Sequence, residues 1–382
     1  MQVSKGTHRI FLSLFFLISG FSFATWASRI PTIKSIYLFN DAQLGTLLLA
    51  MPISSVLGLP FSGWLVSKFE SRIPLSMALI INSLSLILVG FSSSLFSLII
   101  GISVFAFSLR IFNISVNTQS ITLQKLFENK IIGSFHGLWS TGGILGISVT
   151  TFFIQHNLSI ETHFLWVGAL NILLTSVSFF FLLKNDRSEK GNKIIFGKPD
   201  PYITFLGLLV LFGAICEGGM FDWSGIYFHD VLKTRVFTYG YLIFMTCMAS
   251  GRFFSDYLTV KIGLPKTYIL GSALVFIGIA ISVIFPFFWP AMIGFSMVGL
   301  GTSSVYPMTF SLAGQSKKYS PGLAISIVST YSTLGMLLGP PLIGYLSHAF
   351  TLRWAFITFG LAGFLLNPLS RNFFNYKRKL DG

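Results

Sequence analysis

Long apolar runs broken by short polar clusters recur along the whole chain, at a spacing that fits helices crossing a bilayer. A helix through the hydrocarbon core takes about 20 residues. Runs of that length cover residues 10–30, 43–66, 73–92, 96–120, 133–154 and 162–183, then 202–227, 238–258, 267–287, 290–313, 322–348 and 351–373. The pattern predicts an all-α integral membrane protein with twelve transmembrane helices. The one strongly polar stretch between runs, Lys184 to Asp200 (KNDRSEKGNKIIFGKPD), reads as a solvated linker. It divides the chain into an N-terminal six-helix half, 1–183, a linker, 184–201, and a C-terminal half, 202–382.

The halves carry traces of an internal repeat. A shift of 192 places Ser140, Thr141, Gly143 and Leu145 on Ser332, Thr333, Gly335 and Leu337, and a shift of 193 places Leu65, Lys68 and Phe69 on Leu258, Lys261 and Ile262. Nearly equal offsets at two distant places point to two similar halves, the mark of a parallel-repeat transporter.

Composition agrees. The chain is 53% apolar, 16% aromatic and only 10% charged, with 42 Phe and a mean hydropathy of +0.76. Too few polar side chains exist to cover a water-facing surface, which excludes soluble enzymes and disordered chains. Both cysteines, Cys216 and Cys247, lie inside apolar runs, so no disulfide framework or redox site is expected. In a soluble protein a net charge of +14 would point to nucleic acid. Here 19 of the 26 Lys and Arg fall in the segments that are cytoplasmic if the N-terminus is inside. The basic excess is then an orientation signal that puts both termini in the cytoplasm, with no nucleic-acid partner. Lys5 and Arg9 precede the first run, but Arg29 and Pro31 stand where a cleavage site would need small residues, so that run reads as a retained first helix.

In topology the chain resembles the major facilitator superfamily over its whole length. In motif it does so at Gly63-Trp64-Leu65-Val66-Ser67-Lys68-Phe69-Glu70-Ser71-Arg72. The superfamily pattern there is Gly-x-Leu-x-Asp-basic-x-Gly-basic-basic. Gly63, Leu65, Lys68 and Arg72 match, while Ser67 and Glu70 replace Asp and Gly, so the inner gate is altered in this half. In the second half Arg252 and Asp256 stand four apart on one helix face, where Asp256 can take the role that Ser67 cannot. The resemblance thus assigns gating to Lys68, Arg72, Arg252, Asp256 and Lys261.

Three further segments, Trp26-Ala27-Ser28-Arg29-Ile30-Pro31, Asp41-Ala42-Gln43-Leu44-Gly45 and His136-Gly137-Leu138-Trp139-Ser140-Thr141-Gly142-Gly143, are similar to the YbjJ/MosC-like branch, related to fucose-type sugar permeases. Asn113-Ile114-Ser115-Val116-Asn117 falls where that branch has Asp-Val-Ala-Met-Asn. Asn113 therefore removes a carboxylate that could carry a proton in helix four. The resemblance implies a sugar or sugar derivative as solute and a bacterial inner membrane as location.

Buried charge marks a pathway by default, because leaving it in hydrocarbon costs several kcal/mol. Of the acidic residues Glu217 and Asp222 lie well inside a run, in helix seven. Five positions apart, they point about 140 degrees apart on a regular helix. Gly218-Gly219 between them is read as a place where the helix can break. Glu217 is the leading proton-coupling candidate, with Asp222 and His136 behind it; a structural ion pair, a pairing of Asp222 with Arg29, and a satisfied structural histidine are the plainer readings. His156 and His163 are placed in an outer loop without a ligand set, so no metal is expected.

Helix four carries Arg110, Asn113, Asn117 and Gln124 on one stripe about 60 degrees wide. A guanidinium with amides suits a carboxylate, a phosphate or a vicinal diol; the plainer reading is that Arg110 neutralises Glu217. Trp26, Trp223 and Tyr306 are candidate stacking surfaces for a sugar face, so the substrate-binding set is Trp26, Arg110, Asn113, Asn117, Trp223 and Tyr306.

No phosphate-binding Gly-x-x-x-x-Gly-Lys-Ser/Thr loop and no nucleophile elbow appears, so ATP-driven pumping and hydrolysis are not expected, nor any cofactor. The favoured reading is a monomeric, proton-coupled secondary transporter of a small polar solute, lodged in the lipid bilayer. An exporter of amphipathic compounds and a non-transporting sensor on the same fold are the alternatives.

Overall fold

The computed structural model describes residues 4–128, 131–184, 200–319 and 321–381, without the side chains of Ile132, Asp256, Pro321, Gly322 and Asp381. The segment 185–199, which holds nearly all of the expected linker, lies outside the described residues. Among the described residues every regular element is helical, as backbone in hydrocarbon requires, since only a helix satisfies its own peptide groups.

The elements are α1 (Lys5–Ser28), α2 (Ile30–Ile36), α3 (Asp41–Leu48), α4 (Ala50–Lys68), α5 (Arg72–Gly90), α6 (Leu95–Gln124), α7 (Ile132–Gln155) and α8 (Ile160–Phe179). Then come α9 (Pro201–Ile226), extended by a π-helical turn (Tyr227–Val231), α10 (Thr238–Ile262), α11 (Leu264–Ile284), α12 (Phe288–Thr302), α13 (Val305–Ala313), α14 (Pro321–Ala349), α15 (Leu352–Ala355) and α16 (Ile357–Asp381). The polar clusters between runs supply the helix starts. Ser4, Ser94, Ser159 and Asp200 each accept a backbone N–H of the first turn, and Ser94 with Ser97 closes a reciprocal capping box.

Ten helical stretches among the described residues are long and apolar enough to cross a membrane. α10 and the pair α12 and α13 fall on the other two predicted runs. Several runs that read as single helices are interrupted. The breaks at Arg29, Leu49 and Ser303–Ser304 each lie shortly before a proline, at Pro31, Pro52 and Pro307. Proline has no N–H to return to the preceding turn, so the ladder opens there. A fourth interruption, at Phe356 between α15 and α16, has no proline beside it.

By contacts the chain separates into two compact units, Met1–Ile33 with Leu49–Ile194, and Lys34–Leu48 with Ile195–Gly382. In the first, α1 packs on α7, α4 on α6, and α5 on both α6 and α8. In the second, α9 packs on α14, α10 on α12, and α11 on both α12 and α16. In order along each unit these are corresponding pairs, so the repeat seen as a sequence offset recurs as a packing pattern. The closest crossings use small residues: a Cβ on Gly142 would lie 2.0 Å from Leu17 O, and one on Gly335 2.5 Å from Leu211 O. Segment Lys34–Leu48 joins the second unit through α3, which packs on α14.

Large apolar side chains are left exposed on outer faces, among them Trp166, Phe253, Val260 and Trp289. A lipid-facing surface accepts them. Some polar groups turned inward bond across helices: Ser22 Oγ donates to Asn82 Oδ1 at 2.8 Å, and Asn82 Nδ2 donates to Phe105 O at 3.1 Å, tying α1, α5 and α6 together.

Candidate functional site

In the second unit the chemistry gathers around α9. Contrary to the expectation of a break, α9 runs unbroken through Gly218-Gly219. Gly219 serves close approach instead: a Cβ there would lie 2.1 Å from the Phe359 ring, which is fully buried, whereas one on Gly218 would only touch Met336 at 3.5 Å. With the helix continuous, Glu217 and Asp222 keep their separate directions. Glu217 is 5% exposed, and its Oε1 accepts from Arg252 Nη2 at 3.0 Å. Its other oxygen, Oε2, has no hydrogen-bond partner. Met248 Sδ lies 3.7 Å from the same guanidinium nitrogen, one turn back on α10.

Around this pair stand Tyr306, whose hydroxyl is 3.0 Å from Ser332 Oγ, and Tyr241, buried on α10 with an unpartnered hydroxyl. Tyr306 lies near Glu217, Arg252 and Cys216. Tyr241 lies near Glu217 and Asp222. Asp222 is half-buried and forms no hydrogen bond or ion pair among the described residues. Trp223 is fully enclosed, with Nε1 unpartnered. Such buried, unmet polar atoms are costly where they stand, about 1–3 kcal/mol each; others lie on α1, α5, α6, α8 and α16, and what sets this region apart is the buried carboxylate of Glu217 with its guanidinium partner.

In the first unit Arg110 leaves α6 beside Gly58 of α4, where a Cβ would lie 3.2 Å from Arg110 Cβ. Its Nε donates to Ser55 Oγ at 2.9 Å, and it forms no other hydrogen bond or ion pair among the described residues. The two terminal nitrogens of a half-buried guanidinium therefore remain unused. Asn113, also half-buried, has a side chain without a hydrogen-bond partner among the described residues. Asn117 is turned back onto its own helix, Nδ2 donating to Asn113 O at 2.8 Å. Gln124 ends α6 and clasps the following loop, its Oε1 accepting from Ile131 N at 2.7 Å. The expected stripe thus reduces to Arg110, Asn113 and Asn117. Trp26 is 1% exposed against Phe105, its Nε1 unpartnered.

The remaining sequence candidates are spread out. Lys68 lies over the Trp64 ring at 4.9 Å, and Lys261 over Tyr257 at 5.7 Å. Arg72 Nε pairs with Glu70 Oε2 at 2.7 Å, which gives the residue replacing the expected glycine a local partner. The side chain of Asp256 lies outside the described residues. His136 is exposed on α7, with its ring near Phe16.

Two polar clusters escape sequence reasoning. His163 is not in a loop but fully buried within α8, where its Nδ1 accepts from Arg29 Nε at 3.2 Å; Arg29 Nη2 also donates to Leu158 O at 3.1 Å. In the second unit Lys34 Nζ bridges Asp41, at 2.5 Å, and Asp230. Asp230 Oδ1 lies 2.6 Å from His229 Nδ1, and Ser347 Oγ donates to Asp41. Among the described residues no group of three or more His, Cys, Asp or Glu is arranged to hold a metal.

Residues 11–321 match the family model described as Major Facilitator Superfamily. An uncharacterized MFS-type transporter of Yersinia pestis is 30% identical over 345 residues, covering 90% of each chain. Membrane protein MosC of Rhizobium meliloti is 28% identical over 337 residues, covering 87% of this chain and 82% of its own. Among solved structures, the nucleoside transporter NupG superposes with a TM-score of 0.75 at 14% identity over 95% of this chain and 99% of its own. A bacterial homologue of the human lysosomal transporter Spinster, inward-facing and occupied, superposes with a TM-score of 0.74 at 15% identity over 96% of each chain.

Proposed function

The chain belongs to the major facilitator superfamily of membrane transporters, and from that premise we propose that it moves a small polar solute by proton-coupled alternating access. In this reading the chain crosses a bacterial inner membrane twelve times as two six-helix halves, with both termini cytoplasmic, and works as a monomer. The solute is a sugar or sugar derivative, with an anionic group allowed by Arg110.

One observation carries the coupling role: Glu217 is a buried carboxylate that is half satisfied, one oxygen on Arg252 and the other without a partner. A proton added at the free oxygen removes the charge that holds the pair, and its removal restores it. A titratable ion pair of this kind gives the protein two electrostatic states, and a proton favours one of them. Arg252 is on this view the partner of the coupling carboxylate as well as a gate residue. Solute recognition falls to Arg110, Asn113 and Asn117, supported by the unused guanidinium nitrogens and the unpaired amide. Trp26 in the first unit and Trp223 and Tyr306 in the second are the proposed aromatic groups, and Lys68 and Arg72 in the first and Asp256 and Lys261 in the second the proposed gate residues.

Proteoliposomes loaded with a pH dye and pulsed with a panel of sugars, amino sugars, sugar acids and inositols test the proposal. At least one member is expected to drive proton movement in the wild type and none in Glu217→Gln. Solute flux without proton movement in the wild type would remove coupling and leave uniport or exchange.

A further inference from the structure

α11 and α16 are packed tightly through their middle turns, where Ser272 Oγ donates to Gly363 O at 2.7 Å and the Phe276 and Phe364 rings lie 5.7 Å apart. At the start of α11 and the last turns of α16 lies a cleft of about 410 Å3, lined by Leu264, Pro265, Phe374, Lys377 and Arg378. Three of the five lining residues are apolar and the other two are cations. Lys377 is half-buried and its Nζ reaches Gln315 Oε1 at 3.3 Å, which holds it at the rim. Arg378 is exposed and forms no hydrogen bond or ion pair among the described residues.

Basic residues predominate in the two segments that flank the cleft, with Asp381 the next residue beyond them. Segments Lys261–Lys266 and Arg371–Leu380 together hold six basic residues and no acidic one. Both segments lie at ends of membrane-crossing stretches, where a lipid headgroup would sit. A soluble anion would use the cations and gain nothing from Leu264, Pro265 and Phe374. A zwitterionic lipid would bring a phosphate together with an ammonium that two adjacent cations repel, so that it has no net charge to draw it to them. One class of ligand uses both: a negatively charged phosphate joined to an acyl chain.

We propose that this cleft binds an anionic phospholipid. Lys377 and Arg378 hold its phosphate, for which a guanidinium offers paired donors and an ammonium a point charge. The first carbons of an acyl chain rest on Leu264, Pro265 and Phe374. Because α11 and α16 belong to one unit, an occupied cleft braces that unit. None of its lining residues is among those assigned to coupling or solute recognition, and the site does not depend on which solute is carried.

The test is the thermal stability of the full-length protein in detergent, titrated separately with short-chain phosphatidylglycerol, phosphatidylcholine of the same chain length, and inorganic phosphate. Phosphatidylglycerol is expected to raise the unfolding temperature saturably, and the other two are not. Lys377→Ala with Arg378→Ala is expected to shift the phosphatidylglycerol midpoint roughly thirtyfold. Arg371→Ala with Lys379→Ala removes the same charge outside the lining and is expected to shift it less than about threefold. Equal loss in the two double variants would mean diffuse surface attraction and overturn the site. Equal stabilisation by phosphatidylcholine would reduce it to an apolar crevice, and equal stabilisation by phosphate would make it a soluble-anion site; either result overturns the proposal. Should the first double variant not fold, Leu264→Glu, which brings a carboxylate to the lining, is expected to abolish the phosphatidylglycerol effect, and an unchanged midpoint there would overturn it equally.

Discussion

Arg252 on α10 donates Nη2 to Glu217 Oε1 on α9 at 3.0 Å, while Glu217 Oε2 is buried without a partner. The base is less buried than the acid, with a side-chain exposure of 30% against 7%. Losing the pair therefore strands a carboxylate rather than a guanidinium. A stranded buried charge is worse than no charge at all, which gives the two residues unequal mutational consequences.

Arg252→Ala is expected to lower stability by about 3 kcal/mol, the lower end of the range for breaking a buried pair. Glu217→Gln is expected to cost less, because an amide keeps a hydrogen-bond acceptor facing Arg252 and removes the buried charge. The double variant should be more stable than Arg252→Ala alone. Unfolding temperatures of the three proteins in one detergent decide this, and a double variant less stable than either single one would refute the pair as the source.

Coupling and binding should separate at the same residue. Glu217→Gln is expected to retain counterflow of the solute while losing accumulation driven by a pH gradient, since exchange needs no net protonation. The wild type should show both, with accumulation falling as the imposed gradient falls. Accumulation undiminished in Glu217→Gln would exclude Glu217 as the coupling group.

Arg110 offers a test of the solute site through the geometry of its donors. Nε is committed to Ser55 and the terminal nitrogens are unused, so a lysine keeps the charge but loses the fork. Against the best-stabilising member of the sugar, amino-sugar and sugar-acid panel, Arg110→Lys is expected to weaken binding roughly tenfold or more. Ser55→Ala, which removes one positioning hydrogen bond, is expected to weaken it by less than about tenfold. Unchanged affinity in Arg110→Lys would return this arginine to a structural role.

Much of the helical layout was legible because a bilayer imposes one length and one polarity on every crossing; three breaks fall just before Pro31, Pro52 and Pro307, but Pro60, Pro340, Pro341 and Pro368 lie inside unbroken helices, so proline alone does not tell where a run is interrupted. The site was legible in part. Glu217 and Arg110 announce themselves as charges in apolar runs. Their partners do not, since Glu217 and Arg252 are 35 positions apart and Lys34 and Asp230 are 196 apart, and no local periodicity encodes such a meeting. Gly218-Gly219 was ambiguous for another reason: a glycine admits a bend and also a close neighbour, and the Phe359 ring decides for the neighbour. His163 read as a loop residue although it falls at the edge of the run 162–183; α8 begins at Ile160, capped by Ser159, which puts it a full turn inside the helix.

Lys34 holds two carboxylates, Asp41 and Asp230, and is the one cationic lysine or arginine paired with either among the described residues. Lys34→Met is expected to destabilise the second unit, and Asp230→Asn introduced on that background should recover part of the loss. A double-mutant cycle read from unfolding temperatures should give a coupling between about 0.5 and 3 kcal/mol. Additive effects would show that the bridge contributes nothing of its own.

The two kinds of close glycine contact should respond differently to one added methyl group. At Gly142 a Cβ meets the backbone carbonyl of Leu17 at 2.0 Å, and backbone at a crossing of α1 and α7 cannot step aside without separating the helices. At Gly219 it meets the outer ring atoms of Phe359 at 2.1 Å, and a ring can turn or be replaced. Gly219→Ala is therefore expected to cost about 1–3 kcal/mol and to be largely rescued by Phe359→Leu, which withdraws the ring edge. Gly142→Ala is expected to cost more and to resist rescue by any side-chain change at Leu17, because the obstructing atom is the carbonyl oxygen. Yields and unfolding temperatures of the single and paired variants measure both; rescue at Gly142 by a smaller residue 17 would show that the α1–α7 crossing has slack that the backbone contact denies.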